Sequence, residues 1–176
     1  MKSYNIFLAS SDELLIERRA FGSLVYKLDQ HLESQNSRLD IFEWEDYDPA
    51  YNGCRKQSEY NKFIPDSDIF IALFHTKAGK FTLEEFDIAN SLRKNGSKPN
   101  IIIFCKELQN GEQELTELSE FKKRLLTEGY SWSSFSNNND LCYKAILQIS
   151  SILGFSNDIS IKNNIVYLGD QPIVKI

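Results

Sequence analysis

Short apolar runs alternate along the chain with longer stretches in which apolar residues recur every three or four positions. The runs at residues 6–9, 39–44, 68–74, 100–105 and 130–135 are typical of β-strands. The stretches between and after them, with helical periodicity or a capping signal, predict helices. Strict alternation of this kind favours an α/β fold, and we expect a flavodoxin-like three-layer sandwich. Its five-stranded parallel sheet would have the order 2-1-3-4-5, with helices on both faces.

The pattern changes after Gly154, where the five-strand arrangement is already complete. Residues 159–176 alternate like a β-hairpin with a turn at Gly169 and Asp170. We therefore expect a domain over residues 1–155. Residues 156–176 would form a linker or the beginning of a following domain.

Net charge, the length of the apolar runs and the spacing of the cysteines exclude several classes of function. A net charge of −5, with both signs interspersed, argues against a nucleic-acid partner or an anionic membrane surface. No apolar run has membrane-spanning length. The cysteines Cys54, Cys105 and Cys142 are too far apart for a zinc site or a disulfide framework, so we expect a cytoplasmic protein with reduced cysteines and no metal.

Candidate chemistry lies where the third strand leads into a helix. The run 68–74 is followed by a short loop and then by Thr82, which with Glu85 has the spacing of a capping box. Glu84 and Glu85 would lie in the first helical turn, at the sheet edge where open α/β folds bind ligands. Either glutamate is a candidate catalytic group. Capping alone also explains a glutamate at this position.

Further polar and aromatic residues are predicted at the same edge. Ser10 and Ser11 follow the first strand and suit a phosphate or ribose contact, although helix capping explains them equally well. Trp44 and Asp46 end the second strand, and Phe81 precedes the candidate glutamates. We expect these residues to bind substrate, with core packing as the alternative for the aromatic side chains. Arg18 and Arg19 on the first helix could reach a phosphate, but a solvated helix face is their preferred interpretation. His75 is interpreted as a loop residue.

Four stretches together resemble the bacterial TIR (Toll/interleukin-1 receptor) domain. They are residues 6–12, residues 42–57, residues 66–74 and residues 81–89. In the last stretch Glu85 falls on the family's glutamate and Ala89 on its alanine, so the resemblance favours Glu85 as the catalytic group, with Glu84 as the second choice. Phe81 and Thr82 replace the family's Trp-Cys pair.

The resemblance implies an NAD+ hydrolase that cleaves the nicotinamide–ribose bond, with ADP-ribose cyclisation as an additional activity. It implies that NAD+ is the substrate and that no cofactor is needed. It further implies self-association through the BB loop, here about Tyr47 to Gln57, and a fused sensor domain. The chain would then be the N-terminal effector domain of an anti-phage immune protein that depletes NAD+.

Two alternatives stay open at this point. The missing Trp-Cys pair favours a non-catalytic module that joins TIR domains. Another flavodoxin-like enzyme, such as a relative of nucleoside deoxyribosyltransferases, would also use one glutamate at a sheet edge. Product analysis with NAD+ and with deoxynucleosides separates these activities.

Overall fold

A computed structural model describes residues 1–42, 60–96 and 98–176. In the described residues up to 153, strands alternate with helices or short helical turns, as predicted. The strands are β1 (Lys2–Ser10), β2 (Ser37–Phe42), β3 (Ile69–Phe74), β4 (Asn100–Lys106) and β5 (Ser133–Phe135). The α-helices are α1 (Leu15–Glu33), α2 (Lys80–Asn95), α3 (Thr116–Thr127) and α4 (Asn138–Leu153). Short 3-10 turns at Asp12–Leu14 and Asn61–Phe63 precede α1 and β3.

The first five strands form one parallel sheet in the order β2-β1-β3-β4-β5, which confirms the predicted flavodoxin-like fold. All six residues of the central strand β3 are buried. A continuous apolar run is expected of a strand that is covered by helices on both faces. The sheet edge that follows Ser10 and Phe74 therefore lies in the middle of the sheet, where β1 and β3 are neighbours.

Successive strand residues point to opposite faces of the sheet and build two hydrophobic layers. Ile6 and Leu8 of β1 join the buried side chains of α1 and α4, whereas Phe7 and Ala9 join those of α2 and α3. The helical periodicity of α1 is confirmed, since its predicted inward residues are buried: Leu14, Phe21, Leu24, Val25, Leu28 and Leu32. The first layer holds α1 and the second holds α2, and both helices contribute residues to the candidate site.

The start of α2 differs from the prediction. Gly79 is the N-cap residue, with φ −63° and ψ 143°, and its carbonyl accepts a 3.0 Å hydrogen bond from the backbone N–H of Leu83. Thr82 is therefore the third helical residue and is buried, so the predicted capping box is wrong. Glu85 lies in the second turn, where a reciprocal bond to the N-cap is geometrically excluded. Its position in the helix thus has no capping explanation.

Residues after α4 form three antiparallel strands: β6 (Ile159–Lys162), β7 (Ile165–Leu168) and β8 (Gln171–Lys175). The turn at Gly169 and Asp170 joins β7 to β8, and a second turn at Asn163 and Asn164 joins β6 to β7. Both asparagines have positive φ, as two-residue hairpin turns require. Apolar residues of this sheet belong to the same hydrophobic cluster as α1 and α4. The domain boundary at residue 155 and the linker beyond it stay predictions.

Two of the three cysteines lie in the described residues. Cys105 and Cys142 are buried and unpaired, as expected. Burial raises the pKa of Cys105 to about 12 and that of Cys142 to about 11, which keeps both thiols protonated at neutral pH. Among the described residues, no helix is both long and apolar enough to cross a bilayer.

Candidate active site

A small cavity lies at the carboxyl edge of the sheet, between the end of β1 and the start of α2. Its volume is about 190 Å³, and Leu8 forms part of its apolar wall. The polar and aromatic lining residues come from four separate segments of the chain: Ser10, Asp12, Arg18, Tyr60, Phe81 and Glu85. The folded chain therefore brings two carboxylates, a guanidinium and a serine hydroxyl together beside two aromatic rings.

Glu85 reaches this cavity because it shares a face of α2 with Phe81, one turn earlier. Only 4% of Glu85 is exposed, whereas Phe81 is 48% exposed. Ionisable side chains are seldom so deeply buried unless other groups compensate the cost. The arrangement places a shielded carboxylate in the cavity and a partly exposed aromatic ring beside it.

The adjacent Glu84 has a different environment. Its carboxylate accepts a 3.0 Å hydrogen bond from Nδ2 of Asn61, and its side chain lines a larger groove of about 940 Å³. The groove is lined on its apolar side by Leu83, Ile88 and Leu92. None of the described groove residues is a buried ionisable group. The smaller cavity is therefore the better candidate for chemistry, although the groove has more volume.

Arg18 lines the cavity, although a solvated helix face is its preferred interpretation from the sequence. Only 8% of it is exposed, and Nη1 donates hydrogen bonds to Oγ of Ser10 (3.1 Å) and to the carbonyl oxygen of Ser11 (3.0 Å). The expected solvated face is correct for the exposed Arg19 and wrong for Arg18. A signal was available, since Arg18 lies four residues after Leu14 and three before Phe21, on the apolar stripe of α1.

Tyr60 fixes one wall of the cavity. Its hydroxyl oxygen lies 3.0 Å from the carbonyl oxygen of Leu8 and 2.9 Å from that of Phe42. Its ring contacts Phe7, with 4.5 Å between the ring centroids. The carboxyl ends of β1 and β2 are thereby held to one buried side chain.

A polar network around Glu13 holds the loop that precedes α2. The carboxylate accepts a 2.6 Å hydrogen bond from the Thr76 hydroxyl and a 3.0 Å bond from the Ser11 hydroxyl. Burial alone would raise the pKa of Glu13. These bonds and the one from the backbone N–H of Lys77 lower it by more, so the pKa lies below its usual value. The loops after β1 and β3 are consequently tied together by an ionised carboxylate.

His75 lies in the same network and is more enclosed than a loop residue would be. Only 7% of it is exposed, and its Nε2 lies 2.9 Å from a carboxylate oxygen of Glu112. Its Nδ1 lies 3.9 Å from a carboxylate oxygen of Glu13. His75 thus lies between two acidic side chains and helps to hold the loop that precedes α2.

The structure brings together part of the predicted set of site residues. Ser10, Phe81 and Glu85 line the cavity, whereas the Ser11 side chain is directed to Glu13. Trp44, Asp46 and the loop from Tyr47 to Gln57 lie outside the described residues, as does Cys54. No group of three metal-ligating side chains occurs in the described parts of the chain.

Comparison with known proteins identifies the fold and no family. No family model matches the chain, and neither does any curated protein. Among solved structures, the chain is similar to the RPS4 and RRS1 TIR domain heterodimer, with a TM-score of 0.50 and 11% sequence identity. That alignment covers 86% of this chain and 98% of the other. At this identity the similarity shows a shared α/β fold.

Two other structures are more distant by TM-score and support no functional inference. The Clostridium botulinum CMP N-glycosidase BcmB has a TM-score of 0.48 and 16% identity, covering 81% of this chain and 98% of its own. The FeoB G-domain from Methanococcus jannaschii has a TM-score of 0.49 and 12% identity, covering 88% of this chain and 99% of its own.

Proposed function

We propose that this protein hydrolyses the bond between nicotinamide and ribose in NAD+, with Glu85 as the catalytic carboxylate. The observation that carries the proposal is the burial of Glu85 in a small cavity at the carboxyl edge of the sheet, beside Arg18 and Ser10. Open α/β folds bind their ligands at this edge. The TIR-like motif in the sequence falls on the same glutamate.

One carboxylate is sufficient for this reaction. The C1′–N bond breaks with its electron pair going to the pyridinium nitrogen, so nicotinamide leaves as a neutral molecule without a general acid. Positive charge develops on the ribose, and a preorganised carboxylate in a shielded site stabilises that charge. Water then adds to C1′ and loses a proton, which gives ADP-ribose. Attack by an adenine nitrogen instead of water gives the cyclic product.

The size of the cavity suits one half of the dinucleotide. Pockets that enclose a drug-sized ligand have volumes of about 300–1,000 Å³. A cavity of about 190 Å³ is therefore matched to the nicotinamide–ribose portion, with the adenosine portion outside it. Phe81 lines the cavity and is partly exposed, so its proposed role is to stack on a flat ring of the substrate. Trp44 and Asp46 keep their proposed role in substrate binding.

Activation by self-association belongs to the same proposal. The TIR resemblance supports it through the loop from Tyr47 to Gln57, as it supports a fused sensor domain and NAD+ depletion in antiviral defence. Activity per molecule should then rise with protein concentration, whereas a monomeric enzyme would have constant specific activity.

The test is a product analysis at several protein concentrations. The parent protein is incubated with NAD+ and, separately, with deoxynucleosides, and the products are separated by liquid chromatography. A Glu85→Gln variant purified in the same way provides the blank. The proposal expects equal amounts of nicotinamide and ADP-ribose species from NAD+. Base release from deoxynucleosides alone would favour the nucleoside-processing alternative, and an inert parent protein at every concentration would favour the interaction module.

A further inference from the structure

We infer that a second cavity at the same edge of the sheet binds the adenosine portion of NAD+. This adenosine cavity has a volume of about 420 Å³ and lies between the carboxyl ends of β4 and β5 and the first turns of α1 and α4. The residues of its lining that the argument uses are Ile16, Glu17, Lys106, Gln109, Asn138 and Asn139. The inference rests on the proposed function, because it completes the binding of the same substrate.

The first support is the position of the two cavities along the sheet. The smaller cavity includes Ser10 at the end of β1, and the adenosine cavity includes Lys106 at the end of β4. In the sheet order β3 lies between β1 and β4. Since neighbouring strands are about 4.8 Å apart, the two strand ends are roughly 10 Å apart. The pyrophosphate of a dinucleotide, with its two 5′-methylene groups, bridges a gap of this order.

The second support is the charge of the adenosine cavity. Nζ of Lys106 lies 2.8 Å from a carboxylate oxygen of Glu17, and their side chains are 18% and 6% exposed. The two opposite charges of such a buried pair compensate each other, so neither needs an ion from outside. The cavity therefore suits an uncharged polar ligand. Adenosine is uncharged at neutral pH, and the pyrophosphate attached to it would lie outside the cavity.

The third support is the set of side-chain amides. In the part of the chain that the structure describes, the side-chain amides of Gln109, Asn138 and Asn139 make no hydrogen bond to another protein group. The backbone N–H groups at the start of α4 are already bonded by Asn137, so the helix end itself is not the binding group. Asparagine and glutamine amides form paired hydrogen bonds with N6 and N7 of adenine.

An exposed aliphatic side chain completes the cavity. Ile16 is 68% exposed, although it is a large apolar residue at the start of α1. It offers an apolar surface to one face of a flat ring, while the amides of Asn138 and Asn139 are placed to bond the ring's edge. The combination of an apolar wall, neutral amides and a self-compensated ion pair matches a purine nucleoside.

The first test compares NAD+ with nicotinamide mononucleotide, which lacks the adenosine portion. Values of kcat/KM for both substrates are measured for the parent, for Asn139→Trp, which fills the cavity, and for Gln109→Leu, which removes one amide. Gln113→Leu is the matched control, because Gln113 is exposed in the same loop and outside the cavity lining. Asn139→Trp should reduce the preference for NAD+ over the mononucleotide at least about fivefold, mainly through KM. Gln109→Leu should act in the same direction, and Gln113→Leu should retain the preference of the parent.

A binding measurement needs no turnover and separates this inference from the proposed function. Adenosine is titrated into isotope-labelled protein, and the side-chain amide signals of Asn138 and Asn139 are followed by NMR. Inosine, which lacks the amino group at C6, is the control ligand. We expect adenosine to shift these signals more than inosine does. Adenosine binding should be lost in Asn139→Trp, whose folding the same spectra report, and kept in Gln113→Leu.

The possible results distinguish the two claims. Adenosine binding in the parent that is lost in Asn139→Trp supports the adenosine cavity even if NAD+ is never hydrolysed. Hydrolysis of NAD+ with the same substrate preference in the parent, Asn139→Trp and Gln109→Leu would overturn the inference and leave the proposed function intact. A parent protein whose amide signals do not respond to adenosine would also overturn it.

Discussion

Two sides of helix α2 have different surroundings, and the adjacent glutamates Glu84 and Glu85 lie one on each side. On one side Glu85 is buried in a cavity of about 190 Å³ that also contains Arg18. On the other side Glu84 lines an open groove of about 940 Å³ among aliphatic side chains. The two acids are neighbours in sequence, yet a rotation of about 100° per residue separates their environments.

The comparison teaches that converging polar groups identify a reactive site better than volume does. The groove has more room, but it holds its glutamate near the surface with an amide partner, Asn61. The cavity has less room and shields its carboxylate from water, where electrostatic stabilisation is strongest. A third side of α2 is buried against α3. This packing fixes the rotation of α2 about its axis and so keeps Glu85 in the cavity and Glu84 in the groove.

Removing that buried anchor should have the largest effect on stability. Phe86 is fully buried, and its ring centroid lies 5.0 Å from that of Phe121. Phe86→Ala should lower the free energy of unfolding by about 3–5 kcal/mol, because it leaves a cavity in the core. Leu83→Ala, on the groove side, should cost about 1 kcal/mol, since Leu83 is half-buried. Urea titration of both variants measures the difference, and equal losses would contradict the assignment of the buried face.

Glu13→Gln should act on the cavity side through the loop before α2. It replaces an ionised acceptor of bonds from Thr76 and Ser11, so we expect a loss of about 1–2 kcal/mol. Because the pKa of Glu13 is lower in the folded protein, its contribution is present at neutral pH and is lost as pH falls through that folded pKa. The difference in unfolding free energy between parent and variant should therefore be largest near pH 7 and shrink below about pH 4.

The contradictory outcome for Glu13 is a difference that grows towards acid pH. It would mean that the folded state binds protons at this site. Thr76→Val, which removes the hydroxyl donor with little change in volume, is the matched control and should reproduce part of the loss.

Asp158→Asn should have the smallest effect, and none on the site. Asp158 lies directly before β6 and bonds His31 Nε2 of α1 (2.8 Å) and Gln35 Nε2 just beyond that helix (2.7 Å), and these bonds lower its pKa. The side chain is partly exposed, so we expect a loss of about 0.5–1 kcal/mol, present above about pH 4 and lost as pH falls through the folded pKa. Thermal unfolding at pH 7 and pH 3 measures it. A drop in NAD+ hydrolysis below the unfolding temperature would contradict the separation of this sheet from the site.

The sequence predicted the sheet well because its signals are local and repeated. Buried strands such as β3 consist of continuous apolar runs, and alternation with helices leaves few arrangements of a parallel sheet. The hairpin turn at Gly169 and Asp170 was visible for the same reason. The turn at Asn163 and Asn164 was missed, because asparagine is a weaker marker of positive φ than glycine.

The site was predicted less completely, because it depends on contacts between distant segments. Thr82 and Glu85 have the spacing of a capping box, but packing of Thr82 in the interior moves the helix start to Lys80. Arginine is usually exposed, which favours a solvated position for Arg18, but Arg18 occupies an apolar-stripe position of α1 and is buried. Only the fold shows that this stripe ends beside Glu85 and that Ser11 is committed to Glu13.

The central claim is that the buried glutamate of the pair performs the chemistry. Its most direct test is the rate of nicotinamide release from NAD+ by the parent, Glu85→Gln and Glu84→Gln at equal concentrations. We predict that Glu85→Gln lowers kcat at least about 100-fold, as expected for loss of a group that stabilises transition-state charge, while Glu84→Gln stays within about threefold of the parent. Retained activity in Glu85→Gln, or loss confined to Glu84→Gln, would contradict the account.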